Sequence, residues 1–221
     1  LGDPALSSTI FARLRDRFEA RVTSMLTVQH RMSDALVAYP SASMYRGRLV
    51  SAPANRARSL ADLAVREDPS RDAPFIFLDV AGRGYEEARE TEGKSVRNPE
   101  QADRVAREAR RLLERGVPPR ELAVIAAYDA QVRLLRARLV EARALGVEIG
   151  TVDGFQGREK DVVIVDLVRS NDQGEIGFLA DVRRMNVAIT RARRFLLVVG
   201  DAGLLARHPY YAGLVAHAEA T

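Results

Sequence analysis

Residues 161–168, Asp161-Val162-Val163-Ile164-Val165-Asp166-Leu167-Val168, form a β-branched, apolar run that scarcely alternates. A run of that kind suits a strand buried on both faces, as in a parallel sheet with helices above and below. A polar turn, Gly154-Phe155-Gln156-Gly157-Arg158-Glu159, comes just before it. After it, Val182, Met185, Ile189 and Ala192 recur at spacings of three and four, which predicts a helix from about Asp181 to Arg193. On that helix Arg184 and Arg191 would lie two turns apart and share a face away from the apolar stripe. A second buried run, Phe195 to Gly200, closes a βαβ unit. Ligands of such sheets gather at the strand carboxyl ends, so the functional groups are expected there.

The remaining chain repeats the alternation. Strands are expected at Thr23–Val28, Phe75–Val80, Leu122–Ala126 and Val147–Thr151. A first helix, capped by Ser7 or Ser8, would run to about Phe18, with Ile10, Phe11 and Leu14 on one side. Asp34 to Tyr39 starts a helix that Pro40 interrupts or ends, because proline removes a donor and crowds the preceding turn. Residues 46–73 read as a loop with a small helix near Ser59–Val65, and 82–97 as a mobile surface loop. Asn98-Pro99-Glu100-Gln101 carries the signals of a helix start, with Gln101 at the capping-box position, and Gly116 is its stop. Ala130–Ala144 is a second long helix with Val132, Leu135 and Leu139 inward, ended by Gly146. Asp201 caps a short helix and Pro209 opens a terminal one, where His208 and His217 are exposed or packing residues. Alternating strands and helices over 221 residues imply one three-layer α/β domain with a mostly parallel sheet.

Composition excludes more than it proves. There is no cysteine, hence no disulfide, zinc-thiolate site or thiol nucleophile, which is compatible with a reducing cytosol and a cytoplasmic location. No stretch has membrane-spanning length. The net charge of +4 suggests a polyanionic partner, but nearly all of it is arginine, with lysine only at Lys94 and Lys160. A skewed genome composition produces the same bias, so arginine clusters count for less here.

Val152-Asp153-Gly154-Phe155-Gln156-Gly157-Arg158-Glu159-Lys160-Asp161, followed by Arg183-Arg184-Met185-Asn186-Val187-Ala188-Ile189-Thr190-Arg191-Ala192-Arg193-Arg194, resembles motifs V and VI of superfamily-one helicases. The likeness is to the 5′→3′ branch that holds the nonsense-decay RNA helicases and the immunoglobulin-mu-binding-protein helicases. It extends to Leu26-Thr27-Val28-Gln29-His30-Arg31-Met32, to Ser43-Met44-Tyr45-Arg46-Gly47-Arg48-Leu49, and to Val124–Tyr128 with Gln131. These blocks run in family order from about residue 6 to about residue 200, and four in order are far more specific than one.

The resemblance implies a RecA-like α/β/α domain spanning 1–221, the second motor domain of an ATP-dependent helicase or translocase. Arg31 and Arg191 would be its catalytic arginine fingers, stabilising charge spread over the γ-phosphate oxygens. Gly157 would lie near that phosphate with Gln156 beside it, Glu159 would meet the ribose, and His30, where the family commonly has Tyr, would stack on the adenine. Asp153 fixes the turn. Thr151 and the Val152 backbone would contact strand phosphates, with Tyr128, Gln131, Ser170, Asn171 and Ser43 also on the nucleic-acid side. Ala126-Ala127 replaces the family's commoner Thr-Pro, which removes one hydroxyl from that side.

No phosphate-binding loop is found: Gly93-Lys94-Ser95 ends like one, but the required first glycine is Ala88. Gly82-Arg83-Gly84 lacks the third glycine of a dinucleotide fingerprint. No protein metal site is expected. ATP and Mg²⁺ would be held mainly by the first motor domain, and the opening on Leu1 without a methionine suggests an excised piece. Partners would then be single-stranded DNA or RNA and the first motor domain, with no membrane, and the chain alone would not hydrolyse ATP. The alternative is a non-catalytic nucleic-acid-binding or protein-interaction module keeping a degenerate helicase fold.

Overall fold

The computed structural model describes residues 10–18, 24–91 and 95–221. The expected cap at Ser7 or Ser8, Thr23 of the first expected strand, and Gly93 and Lys94 of the rejected loop lie outside them. In chain order the elements are α1 (Ile10–Phe18), β1 (Val28–Gln29), α2 (Asp34–Met44), β2 (Val50–Ser51), β3 (Phe75–Asp79), β4 (Ala88–Arg89), β5 (Val96–Arg97), α3 (Pro99–Glu114), β6 (Leu122–Ala126), α4 (Asp129–Arg138), α5 (Val140–Ala144), β7 (Glu148–Thr151), β8 (Lys160–Asp166), α6 (Val182–Ile189), β9 (Ala192–Gly200), α7 (Ala202–Leu205) and α8 (Pro209–Glu219).

The main sheet has five parallel strands in the order β3-β9-β8-β6-β7. Because β8 is buried on both sides, its alternate residues serve two separate cores. Val163 and Val165 join Ile125, Leu196 and Val198 beneath α2, α6 and α8, where Leu36, Met185 and Tyr211 pack. Val162 and Ile164 join Leu122, Val124, Leu197 and Val199 beneath α3 and α4, where Val105, Ala109 and Leu135 pack. The result is the three-layer α/β/α arrangement that the unalternating runs demand.

The register fixes two edges. Asp79 lies beside Gly200, Val199 beside Asp166, and Ala126 beside both Asp166 and Thr151, so these residues share the carboxyl edge. Lys160 lies beside Ala192 at the amino edge. Among the described residues no helix is long and apolar enough to cross a membrane.

Several expectations are corrected. Among the described residues, strand geometry up to Gln29 is confined to β1, which pairs with β2 and not with the main sheet; Met25 and Leu26 are exposed and outside any strand. α2 runs through Pro40 to Met44, since the buried Pro40 and Tyr39, whose hydroxyl donates to the Tyr210 carbonyl, pack against α8 strongly enough to outweigh one missing backbone bond. Within the expected 82–97 loop, Ala88–Arg89 and Val96–Arg97 pair as the antiparallel β4 and β5. The long helix breaks at Leu139, whose φ of −120 leaves the helical region while its side chain stays buried. The motif VI helix stops at Ile189, and Ala192 belongs to β9, so Arg191 comes after the helix and shares no helical face with Arg184.

Candidate nucleotide and strand sites

Arg31 sits on a turn braced by Gln29. The Gln29 Oε1 accepts from the backbone N–H groups of Arg31 and Met32, each at 2.7 Å, and its Nε2 donates to the Met32 carbonyl and the Ser51 hydroxyl, each at 2.9 Å. The Arg58 guanidinium donates to the Arg31 carbonyl at 2.9 Å. So held, Arg31 sends Nε–H to the Glu159 carboxylate at 2.5 Å and Nη1–H to the Thr190 carbonyl at 2.9 Å, across 159 positions of sequence.

Arg191 is fixed differently. Its Nε–H donates to the Val187 carbonyl at 2.8 Å, which closes the end of α6, and its Nη1–H donates to the Arg158 carbonyl at 3.1 Å. Among the described residues, none of its hydrogen-bond partners is a carboxylate. Burial, and next the charge of Arg31, push the Arg191 guanidinium below its ordinary value, with Glu159 opposing. For Glu159, burial pushes upward, but the hydrogen bond and charge of Arg31, with Arg193 and Arg191, hold the carboxyl below the usual range. Arg193 pairs with Glu121 at 2.6 Å and with Asp161 at 2.8 Å.

The two arginines therefore meet, but not where expected. They lie beside the starts of β8 and β9, at the amino edge of the sheet. The parallel-sheet rule fails here because these residues precede their strands; Lys160 N–H donates to the Arg191 carbonyl at 3.0 Å. Gly157 and Gln156 are exposed on the same approach to β8, and Gly157 has φ +83, a conformation that favours glycine. His30 is exposed next to Arg31. Asp153 starts the turn, its carbonyl accepting from Gln156 N–H.

The expected strand-contacting residues divide. Thr151 ends β7 at the carboxyl edge, its hydroxyl accepting from Gly154 N–H at 3.2 Å, and Val152 turns its side chain into the core, leaving its backbone. Ser170 and Asn171 come after β8 at the same edge. They are held by Glu87, whose Oε2 accepts from Ser170 N–H at 3.0 Å, from Asn171 Nδ2 at 3.1 Å and from the Arg169 Nε at 2.7 Å. They line an open cleft of about 490 Å³ with Tyr85, Arg89 and Asp201. The Tyr128 hydroxyl accepts from Phe178 N–H and from Arg169, each at 3.2 Å, so much of its polarity is spent inside the protein.

Gln131 is a correction: it is fully buried, and its amide is consumed by Asn98 and Asp166, so it offers nothing to an external strand. Gln101 is another, since it does not close a capping box but donates to Asp166 and to the Val199 carbonyl. Ser43 is exposed on α2 with its hydroxyl donating to the Tyr39 carbonyl at 2.8 Å. Sequence reasoning misses Gln29, Arg58 and Glu87 as the groups that hold these turns. Gln29 stands inside the block that resembles a helicase motif; Arg58 and Glu87 carry no signal. Among the described residues no group of three or more His, Asp or Glu side chains is placed to hold a metal ion.

Residues 6–203 match the family described as AAA domain. DNA-binding protein SMUBP-2 of Mus musculus is 41% identical over 211 residues, covering 95% of this chain and 21% of that protein. DNA polymerase alpha-associated DNA helicase A of Schizosaccharomyces pombe is 40% identical over 200 residues, covering 88% and 30%. Regulator of nonsense transcripts 1 of Caenorhabditis elegans is 38% identical over 202 residues, covering 87% and 18%. The chain thus spans between 18% and 30% of the length of these relatives. Among solved structures, the C-terminal domain of a possible DNA helicase from Lactobacillus is similar over 84% of this chain and 94% of that one, at a TM-score of 0.48 and 14% identity.

Proposed function

We propose, for a chain that belongs to the AAA domain family, the role of second motor domain in an ATP-dependent helicase or translocase. The observation that carries this reading is that Arg31, bonded to Glu159 and to the Thr190 carbonyl, comes near enough to Arg191 for its charge to act on that guanidinium, although the two lie far apart in sequence. Two guanidinium groups, placed so that the charge of Arg31 acts on Arg191, fit an anion whose charge is spread over several oxygens. The triphosphate end of ATP is such an anion, and its donor requirements match these side chains. ATP, with its Mg²⁺ held mainly by the first motor domain, supplies the phosphoanhydride whose cleavage powers movement.

The chain's own residues then have distinct tasks. Arg191 arrives oriented, because the Val187 and Arg158 carbonyls fix its plane. Arg31 is aimed by Glu159, whose carboxylate can instead turn to a ribose hydroxyl. Gly157 allows backbone to approach a phosphate closely, and Gln156 and His30 flank it, the imidazole stacking on a base. At the opposite edge Thr151, the Val152 backbone, Ser170 and Asn171 grip a single strand of DNA or RNA through its phosphates, which makes binding sequence-tolerant and salt-sensitive. Tyr128 and Ser43 border that track.

The test uses the complete polypeptide. Arg191→Ala should lower strand-stimulated ATP turnover at least about a hundredfold while nucleotide affinity changes only severalfold, because the arginine acts on developing charge. A large loss of nucleotide binding with turnover intact would refute the assignment. This chain alone should not turn over ATP, and steady-state hydrolysis abolished by Arg191→Ala would contradict that.

A further inference from the structure

Val168 is completely buried and holds φ +69, in the left-handed region that a β-branched residue rarely enters. Both of its peptide groups are caught. Its N–H donates to Asp166 Oδ1 at 3.1 Å, and its carbonyl accepts from Asn98 Nδ2 at 3.3 Å. Asp166 is itself without solvent exposure, and its partners are amides rather than cations. Oδ1 also accepts from Gln101 Nε2 at 2.6 Å, and Oδ2 accepts from Gln131 Nε2 at 2.7 Å. Asn98 and Gln131 close the net through two further bonds, Asn98 N–H to Gln131 Oε1 at 2.8 Å and Gln131 Nε2 to the Asn98 carbonyl at 3.1 Å. Four polar side chains from three elements are thus fully buried around one strained peptide.

The strain at Val168 governs the residues after it. Left-handed geometry there turns the chain sharply at the end of β8, so that Arg169 points inward to Glu87 while Ser170 and Asn171 line the open cleft at the carboxyl edge. Only a carboxylate presents two acceptor oxygens at this length, and here they take three donors. An amide in its place must leave at least one donor facing a donor.

We propose that Asp166 is a positioning residue: with Asn98 it clamps Val168 in the left-handed state and so sets the Ser170–Asn171 turn for single-strand contact. The proposal rests on the reading of the carboxyl edge as the strand's track, and it adds a group that never touches the strand. Gln131 keeps a role, but as a strut of this clamp.

The experiment is a suppressor test on this chain with Asp166→Asn, Val168→Gly and the double variant. Glycine adopts the left-handed geometry without help, so it should make the clamp dispensable. Two readouts are taken at a temperature where urea titration shows every variant folded. One is amide hydrogen exchange at residues 168–171. The other is the dissociation constant for fluorescein-labelled 15-mers of oligothymidylate and oligouridylate. Asp166→Asn should speed exchange in the turn and weaken binding about tenfold, the cost of one misplaced hydrogen-bonding pair. The double variant should return to within about threefold of the unaltered chain although the carboxylate is still missing. A merely structural aspartate predicts no such recovery.

Unchanged exchange and binding in Asp166→Asn overturns the clamp, and so does a double variant that stays weak. If the unaltered chain binds neither oligomer, the strand reading fails, and the exchange comparison alone then decides whether Asp166 sets the turn.

Discussion

Asp166 also offers a stability test with a definite sign. Burial is the first cause acting on its carboxyl and pushes it up to about 6 from an ordinary 3.8, while the Gln131, Gln101 and Val168 hydrogen bonds hold it back. Between those two values the folded chain keeps a proton that the unfolded chain has released, so stability falls as pH rises through that window. A gap of two units is worth about 3 kcal/mol at full development, and about 2–3 kcal/mol of it should appear between pH 4 and pH 7. Asp166→Asn has no such proton. Urea unfolding of the two chains at intervals from pH 4 to pH 7 gives their difference in unfolding free energy. That difference should move in favour of the asparagine chain by about 2–3 kcal/mol across the range, whatever its absolute value. A flat difference would mean that the carboxylate is already compensated at neutral pH, and a trend of opposite sign would mean that it is net stabilised as an anion. Either result refutes the physical account of this buried group.

Other expectations come from single contacts. A Cβ on Gly177 would stand 2.2 Å from Arg169 Nη1 and 2.9 Å from the Tyr128 hydroxyl at φ +52, so Gly177→Ala should cost about 2–4 kcal/mol in urea unfolding, and a loss under about 0.5 would contradict the packing. Arg169 is only 3% exposed against Glu87, and Arg169→Met should cost about 3–5 kcal/mol by stranding the carboxylate; adding Glu87→Gln should recover part of it. Arg31→Ala should raise the titration midpoint of the Glu159 carboxyl, read by NMR, since Arg31 supplies its leading downward influence; an unmoved midpoint would show that the pair does not persist in solution. Gln29→Ala should lower turnover of the complete polypeptide without removing either arginine, because it frees the Arg31 backbone; unchanged turnover would make the brace irrelevant.

How much of this is readable in the residues depends on the range of the force involved. The Asp161–Val168 and Phe195–Gly200 runs declare buried parallel strands because burial on both faces suppresses alternation locally. The end of α6 defeats the same logic turned round: Ala192 continues the helical spacing and also faces inward as the first residue of β9, so one apolar position satisfies two patterns. Gln131 looks like a surface polar residue, because nothing near it in sequence shows a carboxylate 35 positions away that will take its amide. The edge is misjudged because the strand rule concerns loops that come after strands, whereas Glu159 and Arg191 immediately precede theirs. That Arg31 and Arg191 share a surface is legible only through the resemblance; spacing on its own places them nowhere near each other.

The correction of the edge sharpens the mechanical problem. If nucleotide and strand are served by opposite edges of one sheet, something must carry displacement between them. Thr151 stands level with Asp166 at the carboxyl edge, and β8 begins at Lys160, six residues back along the strand. At about 3.3 Å per residue the chain must return roughly 20 Å between them. It does so in residues 152–159, without a helix longer than the single turn Asp153–Phe155. Phe155 anchors the passage midway: its ring is 2% exposed and comes so near Gly150 that a Cβ there would lie 3.1 Å away. A segment that short, pinned at its centre, has little slack to absorb a shift of either end. On the proposed reading, Thr151 on the strand and Glu159 on Arg31 are the two ends of one taut link, and the seven positions between them connect what the sheet keeps apart.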